Sequence, residues 1–285
     1  MDYQQFRPSR FNVLPPVIKN LLIINGLFFI ATIVFDHRFG IDLADILGLH
    51  YFGSEKFHPY QLITYMFMHG DFFHIFFNMF ALWMFGNVLE NVWGPKRFFI
   101  YYFVTGIGAV IIHYTIVYFQ IKPVIDNINQ FLTTPNIEIL EGFVNSKKFN
   151  ISSYEMLENF NHFKDKYNLL LSEGNKDQAT YIAIEYFNQY KIDFLNAPNV
   201  VGASGAVFGI LLAFGMLFPN TELFLMFFPI PIKAKYAVII YGAFELIFGV
   251  LNISGDNIAH FAHLGGMLFG FILIKYWNRN INRFY

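Results

Sequence analysis

Three groups of polar side chains lie within or beside apolar stretches of this sequence, where polar groups are costly and usually serve a function. The first contains Ser204, in the run Gly202-Ala203-Ser204-Gly205 at the start of an apolar stretch. A helix N-terminus offers unpaired N–H groups and the positive end of the helix dipole, which stabilise the oxyanion of an acyl transfer. Packing of small residues is the alternative explanation, because Gly205 and Gly209 form a G-x-x-x-G pattern.

A histidine in another apolar stretch could supply the base that such a serine needs. His263 is followed by Gly265, Gly266 and Gly270, and the glycines would let its helix approach a neighbour closely. A histidine that forms a hydrogen bond between two helices would explain the residue equally well. Because Gly266 and Gly270 lie about 60° and 20° from His263 around a helix, this side chain shares the close-packing face, whereas His260 lies about 120° from Gly266.

The third group is His69, His74 and Asn78. His74 and Asn78 are four residues apart, so they share a helix face and can donate to the same oxygen. His69 precedes His74 by five residues, about 140° around a helix, and is expected to hold the preceding loop instead. A metal site is the alternative for these histidines. We expect none, because no Asp or Glu accompanies them and there is no H-E-x-x-H motif.

The composition predicts that much of the chain lies in lipid. Its 285 residues are 55% hydrophobic and only 14% charged, whereas soluble domains are about a quarter charged. A net charge of -1 gives no basis for binding nucleic acid. The absence of cysteine excludes thiol catalysis, cysteine-ligated zinc and disulfides. The first apolar run follows Pro15-Pro16 without a cleavage pattern for a signal peptide, so we expect a permanent span.

Six stretches approach the length of about 20 apolar residues that a helix needs to cross a bilayer. The fourth is short and the second contains polar residues. The predicted spans are residues 17–35, 72–88, 98–119, 203–218, 234–251 and 258–276.

The positions of Lys and Arg predict the orientation. Ten basic residues flank the spans on one side, and the short loops of the other side hold only Arg38 and Lys56. Both termini should therefore be cytoplasmic, in a multi-pass protein of a bacterial inner (plasma) membrane. The ten are Arg7, Arg10, Lys19, Lys96, Arg97, Lys233, Lys235, Lys275, Arg279 and Arg283.

Residues 121–201 form a long polar insert between the third and fourth spans, on the predicted extracytoplasmic side. Apolar residues recur at intervals of three and four in two stretches, around 156–170 and 179–190, which is typical of amphipathic helices. The predicted organisation is a membrane core in two parts, residues 1–120 and 202–285, with a mostly helical insert at 121–201.

The three polar groups fall at similar depth near the outer ends of three different spans. The set H-G-x-x-x-H-x-x-x-N (69–78), G-A-S-G (202–205) and A-H-L-G-G-x-x-x-G (262–270) resembles the rhomboid family of intramembrane serine proteases. The resemblance implies a six-helix bundle with a short fourth helix, and catalysis without cofactor by a serine–histidine dyad that lacks an aspartate. It makes Ser204 the nucleophile, His263 the general base, and His74, Asn78 and the Ser204 backbone N–H the oxyanion hole.

Two positions depart from the family pattern. Tyr60-Gln61 stands where the family often has Trp-Arg, and Phe208 stands where many relatives have a tyrosine against the catalytic imidazole. Phe208 can still stack there but has no hydroxyl. His113 is explained by a hydrogen bond between helices. Glu245 is explained by a neutral acid or by pairing within the bundle, and a role as a substrate gate is the alternative.

The expected activity is that of a serine endopeptidase that cleaves peptide bonds in or beside transmembrane segments. Its partners would be single-span membrane proteins and the lipid bilayer, with no nucleic acid. The alternative is a catalytically weak rhomboid-like factor that binds membrane proteins. A transporter is disfavoured, because the polar groups gather at one end of the spans and do not line a path through the bilayer.

Overall fold

The computed structural model describes residues 12–146, 149, 151, 154–225, 228–251 and 259–281. These residues are mostly helical, which confirms the predicted fold class. The helices are α1 (Pro16–Phe39), α2 (Leu43–Leu47), α3 (Gln61–Thr64), α4 (Phe72–Ala81), α5 (Asn87–Trp93), α6 (Pro95–Thr133), α7 (Ile137–Val144), α8 (Tyr154–Ser172), α9 (Lys176–Asn196), α10 (Ser204–Leu217), α11 (Ala234–Leu251) and α12 (His260–Ile281). The strands are β1 (Leu49–His50), β2 (Asn199–Val200), β3 (Glu222–Leu225) and β4 (Phe228–Lys233).

Within the described residues, four helical segments are long and apolar enough to cross a bilayer: α1, the segment Phe72–Trp93, α6 and α11. The second segment joins α4 and α5 through a π-helical turn at Leu82–Gly86. α10 is apolar but has only 14 residues, which matches the short fourth span. α12 has 22 residues, but His260 and His263 make its first turn polar. The count of six spans therefore stays a prediction.

Two of the membrane helices expose most of their apolar surface. Apolar side chains along α1 and α11 remain exposed, among them Ile23, Leu27, Ile30, Ile239, Phe244 and Val250. Exposed apolar surface of this extent is untenable in water and is expected of helices that face lipid. The N-terminus of α1 is tied to the bundle by the carboxylate of Glu90, which accepts the backbone N–H groups of Val17 at 3.0 Å and Ile18 at 2.9 Å.

The third span continues well beyond its predicted end at residue 119. α6 is a single helix of 39 residues, with Pro123 in its interior. The side chains of Ile121, Val124, Ile128 and Phe131 are buried and recur at helical spacing. The predicted insert therefore begins inside a helix, because the pattern that buries residues in the span continues past residue 121.

Tertiary contacts divide the chain into two compact units. The first comprises the described residues up to Gly48, Leu62–His113 and those from Val201 onward. The second comprises Leu49–Gln61 and Tyr114–Val200. Residues 49–61 thus group with most of the predicted insert, although they are distant from it in sequence. β1 and β2 join them, since Leu49 pairs with Val200 and His50 with Asn199.

The second unit has its own apolar core, formed by α7, α8, α9 and the end of α6. Phe163 and Tyr186 stack with ring centroids 4.3 Å apart and 7° between the ring planes. Phe187 is fully buried and contacts Phe131 and Phe143 edge-on. α8 and α9 cover the two stretches whose periodicity predicted helices, whereas α7 was not predicted.

Candidate active site

The first unit brings α10 and α12 into close contact through glycines. A Cβ atom at Gly266 would lie 1.9 Å from the carbonyl oxygen of Gly205. No real Cβ atom comes that close to an oxygen, and the obstacle is backbone, so only glycine permits this approach. The backbones of the two helices therefore touch close to Ser204 and His263, which lie in the first turns of α10 and α12.

α6 completes this packing from the other side. The buried hydroxyl of Tyr101 donates to the carbonyl oxygen of Gly209 at 2.8 Å, and a Cβ at Gly270 would lie 2.3 Å from that hydroxyl. A Cβ at Gly209 would lie 2.7 Å from Thr105 Cβ. The glycines of both predicted G-x-x-x-G patterns thus lie at helix contacts, which holds the first turns of α10 and α12 in register.

Ser204 and His263 are hydrogen-bonded across this contact. Ser204 is the first residue of α10, and its Oγ lies 2.8 Å from Nε2 of His263. His263 lies in the first turn of α12 and is 8% exposed. A serine hydroxyl at this distance from an imidazole nitrogen can lose its proton to the ring as it attacks a carbonyl carbon.

The imidazole plane of His263 is fixed by an aromatic ring. The Phe208 ring lies parallel to it, with centroids 4.2 Å apart and 6° between the planes. Phe208 is one turn after Ser204 on α10, so the same helix carries the hydroxyl and the ring that orients its partner. The phenyl group supports the imidazole face without the hydroxyl that a tyrosine would add.

Gly202 lies beside Ser204 and His74 and leaves space between them. Its backbone φ of +119° is a conformation that residues with a side chain rarely adopt. A Cβ there would lie 2.6 Å from His74 Nε2 and 3.8 Å from Ser204 Oγ. The His74 ring and the serine hydroxyl therefore flank the same point. The N–H of Gly202 donates to the carbonyl oxygen of Tyr65 at 2.9 Å, which anchors this turn.

The orientation of His74 follows from its place in the first turn of α4. Asp71 caps that helix by accepting the backbone N–H of His74 at 2.8 Å. The backbone N–H of Gly70 points at Nδ1 of His74 from 3.5 Å. With Nδ1 as the acceptor, the ring proton of a neutral imidazole lies on Nε2, the atom that faces Gly202 and Ser204.

Asn78 lies one turn after His74 on α4 and is buried. α4 packs against α10, so both predicted oxyanion donors belong to a helix in contact with the serine helix. Ala203 precedes α10, and its side chain makes no capping hydrogen bond. The backbone N–H of Ser204 lies at this uncapped helix start, where an N–H group can donate to a substrate oxygen.

His69 lies closer to the site than its spacing predicted. Its ring contacts that of His74 edge-on, with centroids 5.0 Å apart. The 140° separation assumed a continuous helix, but the residues between Phe67 and Phe72 are not helical. Burial and the neighbouring His74 lower the pKa of His69 to about 4, so the ring is neutral at neutral pH.

Glu245 is paired within the bundle, which is one of the explanations that the sequence offered, although its partners were not predicted. It lies on α11, and its Oε2 is 2.9 Å from Nδ1 of His263 and 2.6 Å from Nδ1 of His260. The hydrogen bond goes to His260, while His263 makes a close charge contact. The sequence signal for Glu245 was that a carboxylate occurs within an apolar run. The rotation of α11 against α12, which the sequence does not encode locally, decides its partners.

Comparison with known proteins identifies the same region. A family model for the rhomboid domain matches residues 56–121 and 179–279. A mitochondrial rhomboid protein of Schizosaccharomyces pombe, described as uncharacterized, is 37% identical over 89 residues. That alignment covers 29% of this chain and 22% of the yeast protein, so it spans only about a fifth of the relative's length.

Proposed function

Because the chain belongs to the rhomboid family, we propose that it is a serine endopeptidase that cleaves other membrane proteins in or beside their transmembrane segments. The observation that carries the proposal is the 2.8 Å contact between Ser204 Oγ and His263 Nε2. The part of the chain that the structure describes also contains four helices long and apolar enough to cross a membrane. The direct test is incubation of the purified protein with a single-span substrate in liposomes, followed by detection of the two fragments.

In the acylation step, Ser204 Oγ attacks the carbonyl carbon of the scissile peptide and its proton passes to His263 Nε2. The imidazolium then gives that proton to the departing amine, and an ester to Ser204 remains. The carbonyl oxygen becomes an oxyanion, which the Ser204 N–H, His74 Nε2–H and the Asn78 amide would bind. Neutral His74 with its proton on Nε2 suits this role.

Deacylation requires a water molecule at the same place. His263 would take a proton from the water as its oxygen attacks the ester carbonyl. The bond to Ser204 Oγ then breaks, the imidazolium returns the proton to Oγ, and a carboxylic acid product leaves. The site must therefore be wet while its flanks face lipid. We infer that substrates are single-span proteins whose helices unwind locally, since the peptide must be extended to reach a serine bounded by glycines.

Glu245 adds an acid to what the family resemblance describes as a dyad. A carboxylate 2.9 Å from Nδ1 of His263 would stabilise the imidazolium that forms during acylation, as the acid of a serine–histidine–acid triad does. Glu245 would act through His263 and would not touch the substrate, so we assign it a positioning role.

A second candidate function is a rhomboid-like factor that binds membrane proteins with little or no catalysis. The same bundle could hold a transmembrane segment without cutting it. The hydrogen-bonded serine and histidine favour the protease, because binding alone does not need them. Capture of a single-span protein by the wild type without fragments, under conditions in which related proteases cut, would favour the binding factor.

We expect His74→Ala and Asn78→Ala each to lower kcat by about 10²–10³-fold, the usual loss for one oxyanion donor. KM should change little, because the donors bind the transition state more strongly than the substrate. The double variant should be slower than either single variant. Steady-state cleavage rates check this, with His37→Ala as a control at an exposed histidine. Unchanged turnover in one single variant would remove that side chain from the oxyanion hole.

We propose that the protein lies in a plasma membrane, the bacterial inner membrane, with both termini cytoplasmic and residues 121–201 outside. The distribution of Lys and Arg supports this orientation. In the cysteine-free chain, Asn175→Cys should react with a membrane-impermeant maleimide in intact cells. Lys233→Cys, predicted on the cytoplasmic side and exposed, should react only after lysis. The reverse labelling pattern would invert the topology.

A further inference from the structure

The proposed base His263 belongs to a cluster of three side chains that can each bind a metal ion. Glu245 of α11 and His260 and His263 of α12 each offer one ligand atom, and these atoms all lie within 4.8 Å of one another. Both histidines are about nine-tenths buried. The sequence did not reveal this group, because the histidines are three residues apart on one helix and the acid comes from another.

One buried nitrogen of this cluster makes no hydrogen bond. Nδ1 of His263 is buried and has no hydrogen bond to any described residue, although the Glu245 carboxylate lies nearby. A buried polar atom without a partner costs free energy. A ligand at this point would satisfy Nδ1 of His263 and neutralise the charge of Glu245 at the same time.

Two imidazole nitrogens and one carboxylate oxygen form a ligand set that suits zinc. Three protein ligands of this kind with an open fourth position for water are typical of zinc sites, and hard cations such as Mg²⁺ prefer oxygen ligands only. Zinc bonds of about 2.0–2.2 Å in a tetrahedron hold ligand atoms about 3.3–3.5 Å apart. The contacts of 2.6 and 2.9 Å at Glu245 need to widen by less than about 1 Å.

We propose that Glu245, His260 and His263 bind one Zn²⁺ ion, and that the bound ion switches the protease off. Coordination uses the lone pair on Nδ1 of His263, so the proton of the neutral ring must lie on Nε2. Nε2 then donates to Ser204 Oγ and cannot accept its proton. The zinc site is independent of the proposed function, whereas the inhibition rests on the proposed function.

Binding is tested without reference to proteolysis, on the Ser204→Ala protein in detergent after removal of metal. Calorimetric titration with Zn²⁺ should give one site, and Mg²⁺ should give none. In that background His260→Ala and Glu245→Gln should each weaken binding by more than about 100-fold, since even the outer partners of metal ligands cost about 10–100-fold. His162→Ala, at an exposed histidine, is the matched control. Equal affinity in all variants, or no binding, would overturn the site.

X-ray absorption of the zinc-loaded Ser204→Ala protein gives a readout that does not depend on the folding of any variant at Glu245, His260 or His263. Two imidazole nitrogens and one carboxylate oxygen should appear within about 2.0–2.2 Å of the ion. A shell of oxygen atoms alone would contradict the proposal, because it would show the ion at another place.

Inhibition is measured on enzyme with Ser204 intact, as the ratio of each protein's cleavage rate with and without Zn²⁺. Zinc should stop cleavage by the wild-type enzyme, and a chelator should restore the cleavage rate. His260→Ala should lose at most a small fraction of its own metal-free rate. Activation of the wild type by zinc would overturn the inhibitory role. Zinc binding to this site, in a chain that never cleaves substrates, would retain the site and reject the protease.

Discussion

Ser204→Ala should abolish cleavage of a single-span substrate and leave the protein folded. Loss of a nucleophile from a serine hydrolase commonly costs about 10⁴–10⁶-fold in rate, and Ser204 is the only serine at the start of α10. The variant removes the hydrogen bond to His263, which is worth about 0.5–1.5 kcal/mol of folding free energy. Fragment formation should therefore disappear while the melting temperature changes by only a few degrees.

A second serine supplies the control for this substitution. Ser54 lies in the other compact unit, where its Oγ donates to Asn196 Oδ1. Ser54→Ala removes a hydroxyl of the same kind that makes no hydrogen bond to His263 and should keep the wild-type cleavage rate. If folded Ser204→Ala cleaved substrate at the wild-type rate, the serine-protease proposal would fail, and another group would have to be the nucleophile.

The long apolar helices could be predicted well from the sequence, because their pattern is local. The fifth predicted span, residues 234–251, coincides with α11, and the helices at 154–172 and 176–196 follow from three- and four-residue spacing. The limits of α6 could not be found by counting apolar residues. Its last part is buried by packing within the second unit and not by lipid, so hydropathy falls while the helix continues.

β1 and β2 escaped prediction because they depend on distant partners. They are two residues each and pair across about 150 positions of sequence, and strands of two residues are too short for a periodic pattern. β3 and β4 are close to one another in sequence and pair with Glu222 opposite Lys233. They were not predicted either, and neither was α7.

In the candidate site, too, local motifs could be recognised in the sequence, whereas contacts set by tertiary packing could not. Motif spacing named Ser204, His263, His74 and Asn78 as candidates, and the structure brings the first two within 2.8 Å of each other. The glycine positions indicated which helices touch. The position of Glu245 could not be derived, since it depends on how α11 is rotated against α12. The contact between His69 and His74 was missed because helix geometry was applied to residues that form a loop.

Substitution of the two histidines of α12 should have very different effects on the cleavage rate. His263→Ala should be inactive, because only Nε2 of His263 contacts Ser204 Oγ among the described residues, at 2.8 Å. Removing the base of a catalytic serine costs as much as removing the serine itself, about 10⁴–10⁶-fold. His260→Ala should retain substantial cleavage, since the side chain of His260 bonds Glu245 and not Ser204.

His260→Ala should instead affect stability. It removes a hydrogen bond to a carboxylate, worth about 1.5–3 kcal/mol, and leaves Glu245 with His263 as its remaining neighbour in this cluster. Thermal unfolding in detergent should show a lower melting temperature for His260→Ala, with cleavage measured well below that temperature.

A serine-reactive fluorophosphonate reports on the base directly, because only a serine activated by its histidine attacks phosphorus at a useful rate. Wild type and His260→Ala should be labelled, and His263→Ala and Ser204→Ala should not. Labelling of His263→Ala with loss of labelling in His260→Ala would assign the base to the other turn of α12.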